Sequence, residues 1–258
     1  MQAIREVGIE IDLVGGTSMG AIIGGAYALG KDNETIYQMA KSLSTNNKMV
    51  DYTWPVTSLA KGKPFTEMLI DLFGDIKIED AWKEFFCVSA NLSQAQVVIH
   101  RRGSLWKYTR ASSSCPPLFA PVLDGDDLLM DGALFNNLPV DLMRDICEEG
   151  KVIGVDVSAE EALKGNYNFD PILSGWQILM NRIRPSSKRI YAPSLINIAL
   201  RAAEINSVRL KHQQYDIADL MIRPDVEGFD LFRVEAIDDI VARGYEAGKR
   251  ALENWLES

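Results

Sequence analysis

The chain has 258 residues, a hydrophobic share of 47% and a formal net charge of −9. That length suits one large α/β domain, or two small ones, with an ample core, and the acidic balance argues against a nucleic-acid partner. Three scattered cysteines, Cys87, Cys115 and Cys147, form no C-x-x-C pair, and no apolar run reaches 18 residues; this argues against a disulfide scaffold, a zinc site or a membrane span, and for a reducing compartment.

In chain order, residues 1–7 read as an amphipathic helix stopped by Gly8. A buried strand follows to Val14, then a helix from just after Ser18 to about Leu29. Asp32 or Asn33 caps a second helix reaching about Ser44. Pro64 opens a helix whose apolar face is Phe65, Met68, Leu69 and Leu72, and Gly74 closes it. Residues 85–90, 96–100 and 128–130 read as strands. Residues 151–157 read as a strand buried on both faces, followed by a loop over 158–170. Helices are expected at about 172–183, 194–214 and 235–256, with a short strand at 220–222. Strands separated by helices predict an α/β fold with a mostly parallel sheet and helices on both sides.

Chemistry concentrates at Gly16-Thr17-Ser18-Met19-Gly20. Strand, sharp turn and helix follow one another there, with a serine at the apex near the positive end of the helix. Gly16 and Gly20 are expected to remove bulk where strand and helix approach. The alternative is a glycine-rich turn that merely packs tightly. A serine nucleophile needs a base. His100 precedes Arg101-Arg102 and reads as a surface strand end, while His212 lies late in a long helix; the order Ser18, Asp131, His212 leaves a hydrolase triad open. Asp131 is the better candidate. It follows Leu128-Leu129-Met130 and precedes Gly132, so it emerges at a strand end, and partial burial would raise its pKa. The competing reading is a turn carboxylate bonded to local N–H groups. Asp124, Asp126 and Asp127 lack the spacing of a calcium loop. Nucleotide binding at Gly15–Gly25 fits neither G-x-G-x-x-G nor the P-loop. Residues 115–119, Cys-Pro-Pro-Leu-Phe, read either as a rigid apolar wall near the site or as a structural turn.

Together, residues 16–20 and Asp131-Gly132 resemble the patatin-like phospholipase family, and specifically its neuropathy target esterase group. The likeness extends through residues 12–18, 54–58, 78–82, 103–112, 128–132, 136–139 and 173–176. It implies a three-layer α/β/α sandwich and hydrolysis of acyl esters in phospholipids and lysophospholipids; no metal or cofactor is expected. It also implies a serine–aspartate dyad, with Ser18 as nucleophile and Asp131 as base. Gly16, Met19, Gly20 and Gly132 would support the motif, Met19 through an oxyanion-binding N–H. The resemblance further implies a G-G-G-x-R-G oxyanion loop ahead of the Ser18 strand. The sequence begins at Met1-Gln2-Ala3-Ile4-Arg5, inside the helix that follows that loop. The expectation is one domain, 1–258, lacking the first strand and the loop. It would be either part of a longer active protein or a form with turnover lowered about 10²–10³-fold, hence a non-catalytic lipid-binding remnant as the alternative function.

Residues 171–203 hold no acidic side chain but carry Arg182, Arg184, Lys188, Arg189 and Arg201 near Trp176, Ile178, Leu179, Met180 and Ile183. This reads as a surface for anionic lipid, or as two core-packed helices joined by a basic loop. The expected location is cytoplasmic, or peripheral on the cytoplasmic face of a membrane.

Overall fold

The computed structural model of the chain describes residues 1–45, 50–158, 167–169, 171–185, 188–193, 195–226 and 237–257. The elements in order are α1 (Gln2–Glu6), β1 (Leu13–Thr17), α2 (Met19–Ala28), α3 (Asn33–Thr45), α4 (Lys63–Phe73), β2 (Glu84–Asn91), β3 (Gln96–His100), α5 (Leu105–Ser112), β4 (Val122–Asp124), β5 (Asp127–Asp131), α6 (Val140–Cys147), β6 (Ile153–Val155), α7 (Gly175–Leu179), α8 (Leu195–Ile217), β7 (Leu220–Ile222) and α9 (Ile237–Glu257). The local causes are plain in α4. Pro64 sits in its first turn, Gly74 takes a positive φ of 55° at its end, and Phe65, Leu69 and Phe73, four residues apart, are buried.

The fold belongs to the α/β/α class. Parallel pairing occurs where helices lead directly from one strand to its partner, β1 to β2 and β6 to β7. Two hairpins add antiparallel pairs: β2 with β3, and β4 with β5 through the two-residue turn Gly125-Asp126. β5 also pairs antiparallel with β2. Helices α2, α4 and α5 pack with Phe85 and Cys87 of β2 into the main core. A smaller cluster joins α1 and α9 around Leu252 with Ile153 of β6 and Leu220 of β7.

The register of β2 positions the site. β3 occupies one edge of β2 from Cys87 to Asn91. β1 and β5 therefore share the other edge, β1 against Glu84–Val88 and β5 against Ser89–Asn91. β1 runs with β2 and β5 runs against it, so their C-terminal ends meet tip to tip. Thr17 lies opposite Val88 and Asp131 opposite Ser89, consecutive residues whose Cα atoms are about 3.8 Å apart.

The C-terminal part departs from expectation. In 151–157 only Ile153–Val155 forms a strand, and it is buried on one face: Val152 and Gly154 are buried, Val155 and Val157 exposed. Among the described residues β6 pairs with β7 alone, so its outward side chains meet solvent. The stretch at 172–183 is shorter than a full helix. Ser174 and Gln177 form a reciprocal capping box at the start of α7, and a single 3₁₀ turn at Met180–Arg182 ends it. None of α7 is buried, which removes the core-packed reading of this segment. α8 runs three residues beyond the expected end. Most of the expected loop at 158–170, and the start expected for the last helix at 235, lie outside the described residues.

Candidate active site

Ser18 stands between β1 and α2 with φ 54° and ψ −119°, a left-handed conformation that costs a non-glycine residue about 1–3 kcal/mol. Three features hold it there. Its N–H donates to Ser112 Oγ at 3.0 Å, its carbonyl accepts from the N–H groups of Ala21 and Ile22, and Gly16 lets the turn close. A Cβ on Gly16 would fall 2.4 Å from the carbonyl carbon of Gly20 and 2.8 Å from the nitrogen of Ala21. Gly20 is different. A Cβ there would meet nothing within 4 Å, and the residue is exposed. The expectation that both glycines relieve a clash is thus corrected: Gly16 must lack a side chain because the backbone of Gly20 lies against it, whereas the hydrogens of Gly20 face open space. Met19 occupies the first position of α2, where no preceding helical carbonyl receives its N–H.

Asp131 ends β5 and is 3% exposed. Its N–H donates to the carbonyl of Ser114 at 3.1 Å, and its Oδ1 accepts from the N–H of Ala133 at 2.9 Å. The local N–H contact of the turn reading is therefore present. Gly132 permits the approach of neighbouring strands: a Cβ there would lie 2.5 Å from the carbonyl oxygen of Val88 and 2.9 Å from Thr17 Cγ2. Thr17 Oγ1 donates to the carbonyl of Asn136 at 2.8 Å, tying β1 to the turn after Asp131.

The end of α5 fixes both candidates, a role the sequence reading missed. Ser112 binds the N–H of Ser18, and Ser114 that of Asp131. Behind them Arg110 is buried, its Nη1 donating to Ser114 Oγ at 2.5 Å and its Nε to Thr66 Oγ1 at 3.0 Å. Its guanidinium lies 4.7 Å from the centroid of Phe119, and burial lowers its pKa to about 10. Leu118 and Phe119 are buried against this core, and Phe119 stacks on Phe65 at 5.3 Å.

His100 is not a surface strand end. It is 6% exposed, its ring stacks on Tyr108 at 4.1 Å, and its Nε2 lies 2.7 Å from Ser89 Oγ. Strand alternation turns it inward opposite Cys87 although Arg101 and Arg102 follow at the surface. Burial lowers its pKa to about 4, so it is neutral near pH 7. The side chain of His212 lies outside the described residues. No group of His, Cys, Asp or Glu suited to a metal occurs among the described residues.

A serine on a strained strand-to-helix turn, with a buried carboxylate at the tip of the opposing strand, places the chain among α/β proteins that carry a glycine-flanked serine between a strand and a helix. The chain belongs to the patatin-like phospholipase family, whose sequence signature matches residues 1–144. It is 33% identical over 270 residues to neuropathy target esterase sws of Drosophila melanogaster, covering 100% of this chain and 18% of that protein. Against patatin-like phospholipase domain-containing protein 6 of Homo sapiens it is 33% identical over 266 residues, covering 99% of this chain and 19% of that one. Against lysophospholipase NTE1 of Meyerozyma guilliermondii the identity is 33% over 264 residues, with 99% and 18% covered. The chain thus spans under a fifth of the length of these relatives.

Proposed function

We propose that these residues form the catalytic domain of a carboxylic ester hydrolase acting on lysophospholipids and phospholipids. Ser18 Oγ attacks the ester carbonyl and Asp131 accepts its proton. Asp131 hands that proton to the departing alkoxide oxygen of the glycerophospho or lysophospholipid part, leaving an acyl-serine; it then takes a proton from water as the water oxygen attacks the acyl carbonyl, and returns it to Ser18 Oγ as the fatty acid leaves. The N–H of Met19 donates to the oxyanion. The observation that carries this reading is the tip-to-tip meeting of β1 and β5 on one edge of β2, with Ser112 at the end of α5 and Ser114 just after it bonding the N–H groups of Ser18 and Asp131. Relatives named lysophospholipase and patatin-like phospholipase support the substrate class. The exposed apolar residues of 171–191, among basic ones, support peripheral contact with lipid.

A fluorophosphonate probe tests the nucleophile. Covalent labelling of the chain, lost in Ser18→Ala, is the expected result. Labelling that persists in Ser18→Ala would overturn the assignment. A chain that binds lysophospholipid yet takes no probe at all would be the non-catalytic lipid-binding form.

A further inference from the structure

The turn after Asp131 touches both that carboxylate and the residue before Ser18. Its Gly132–Leu134 segment is a single 3₁₀ turn, the Gly132 carbonyl accepting from the N–H groups of Phe135 and Asn136. At its start the N–H of Ala133 donates to Asp131 Oδ1 at 2.9 Å. At its far end the carbonyl of Asn136 accepts from Thr17 Oγ1 at 2.8 Å. Residues 132–136 are thus one physical link between the two candidates. A 3₁₀ turn has poorer hydrogen-bond geometry than an α-helix, so one this short gains from outside support. Helix α8 supplies it. Ser207 Oγ donates to the carbonyl of Ala133 at 2.5 Å and accepts from the N–H of Asn137 at 3.1 Å, so one hydroxyl grips the turn at both ends. Asn206 Nδ2 donates to the carbonyl of Phe135 at 3.2 Å. Two helical turns beyond Ser207, on the same face, the buried Gln214 accepts through Oε1 from the N–H of Asp141 at 2.8 Å, in the first turn of α6.

We propose that Ser207 is a positioning residue for the Asp131 carboxylate, acting through Ala133. The proposal rests on the reading of Asp131 as the base. Ala133 carries a peptide group on each side of its Cα. Its N–H faces the carboxylate, and its carbonyl faces Ser207. Fixing the carbonyl limits rotation about that Cα, and so limits how far the N–H can swing from Oδ1. The Asn137 bond stops the other end of the turn from drifting, and with it the Asn136 carbonyl that holds Thr17. The residue type fits this use. A serine in the middle of a helix is less favourable than alanine, and its hydroxyl tends to turn back on the helix's own carbonyls. Ser207 lies in the middle of α8, yet its proton goes to Ala133. A Ser207 that only docked α8 would lower stability when removed and leave the chemistry at Ser18 untouched. A positioning Ser207 changes the rate of that chemistry.

Fluorophosphonate labelling of the full chain, resolved into a maximal rate and a half-saturating probe concentration, separates these roles. Hydrogen exchange at the Ala133 amide reads the turn itself. In Ser207→Ala that amide is expected to exchange faster, and the maximal rate to fall about tenfold at an unchanged half-saturating concentration. Ser207→Thr, which keeps a hydroxyl, should restore most of both. A folded Ser207→Ala chain that labels at the parental maximal rate overturns the proposal, as does a Ser207→Thr chain as slow as Ser207→Ala. Should Ser207→Ala not fold, Ser207→Cys keeps the shape with only a weak S–H donor, and a parental maximal rate there overturns the proposal instead. Asp131→Asn separates the two readings. Labelling as fast as the parent's in that variant refutes Asp131 as base, whereas parental exchange at Ala133 in Ser207→Ala refutes only the part given to Ser207.

Discussion

Two regions of this molecule invert the usual rule of burial, in opposite directions. Around β2 and the end of α5, polar groups are inside: Ser89, His100, Arg110, Ser112, Ser114 and Asp131 are all nearly closed to water. Along 171–191, apolar groups are outside: Ile172 is 86% exposed, Trp176 73% and Ile183 74%. Buried polar groups and exposed apolar ones are the informative exceptions in a folded chain. The first set is affordable because each member has a partner: Ser89 bonds His100, Arg110 and Asp131 both bond Ser114, and Ser112 holds the N–H of Ser18. The second set has gained nothing from folding and gains only when another apolar phase covers it. Rigid polar packing in one region and uncovered hydrophobic area in the other are what the proposed hydrolase would require at a lipid surface.

The rigidity of the first region is open to a severe test. A methyl group at Gly16 would press on the backbone of Gly20 and Ala21, not on a side chain that could swing away. Gly16→Ala is expected to cost about 3 kcal/mol of stability, seen as a lower urea midpoint with unchanged slope. The turn would relax in the variants that survive, so Ser18 labelling should fall with stability. A variant as stable as its parent would mean that β1 and α2 tolerate separation and that the strain at Ser18 has another source.

The second region yields a smaller effect. Arg184, Lys188 and Arg189 lie near the exposed apolar residues, and the stretch from 171 to 203 holds no acidic side chain. Sedimentation with vesicles should show binding that rises with anionic lipid and falls with salt. The double change Trp176→Ser and Ile183→Ser should weaken binding about tenfold without altering the melting temperature, since neither side chain touches the core. Binding indifferent to lipid charge would detach this segment from membranes.

These regions were unequally legible in the sequence. The Ser18 turn could be read because a strand pattern changes to a helix pattern around a single serine, a local signal. Asp131 could be read because three apolar residues precede it. Ser112 and Ser114 could not. Their partners lie 94 and 17 residues away, and only the fold brings α5 to both strand ends. His100 misled for a related reason: its neighbours Arg101 and Arg102 belong to the surface, but alternation in a strand decides each side chain separately. The strand at 151–157 looked buried on both faces because apolar content alone does not say whether a second sheet or helix covers the outer side. α7 carries its own start signal in Ser174 and Gln177, whereas its full exposure has no sequence signature at all.

The smallest expected effect is the sharpest check on the site's geometry. Gly20 shares a motif with Gly16, yet a Cβ at Gly20 enters open space, and its φ lies outside the left-handed range. Gly20→Ala should therefore change stability by less than about 0.5 kcal/mol, in the direction of a small gain if the helix preference of alanine is felt in the first turn of α2. Labelling of Ser18 by a compact phosphonate should also persist, because nothing that holds the serine involves the hydrogens of Gly20. Slower reaction with a bulky acyl ester than with a compact one would place the acyl chain in the space beside Gly20. A loss of stability as large as that of Gly16→Ala would contradict the asymmetry of the turn, in which one glycine is required by its neighbour's backbone and the other only lends that backbone.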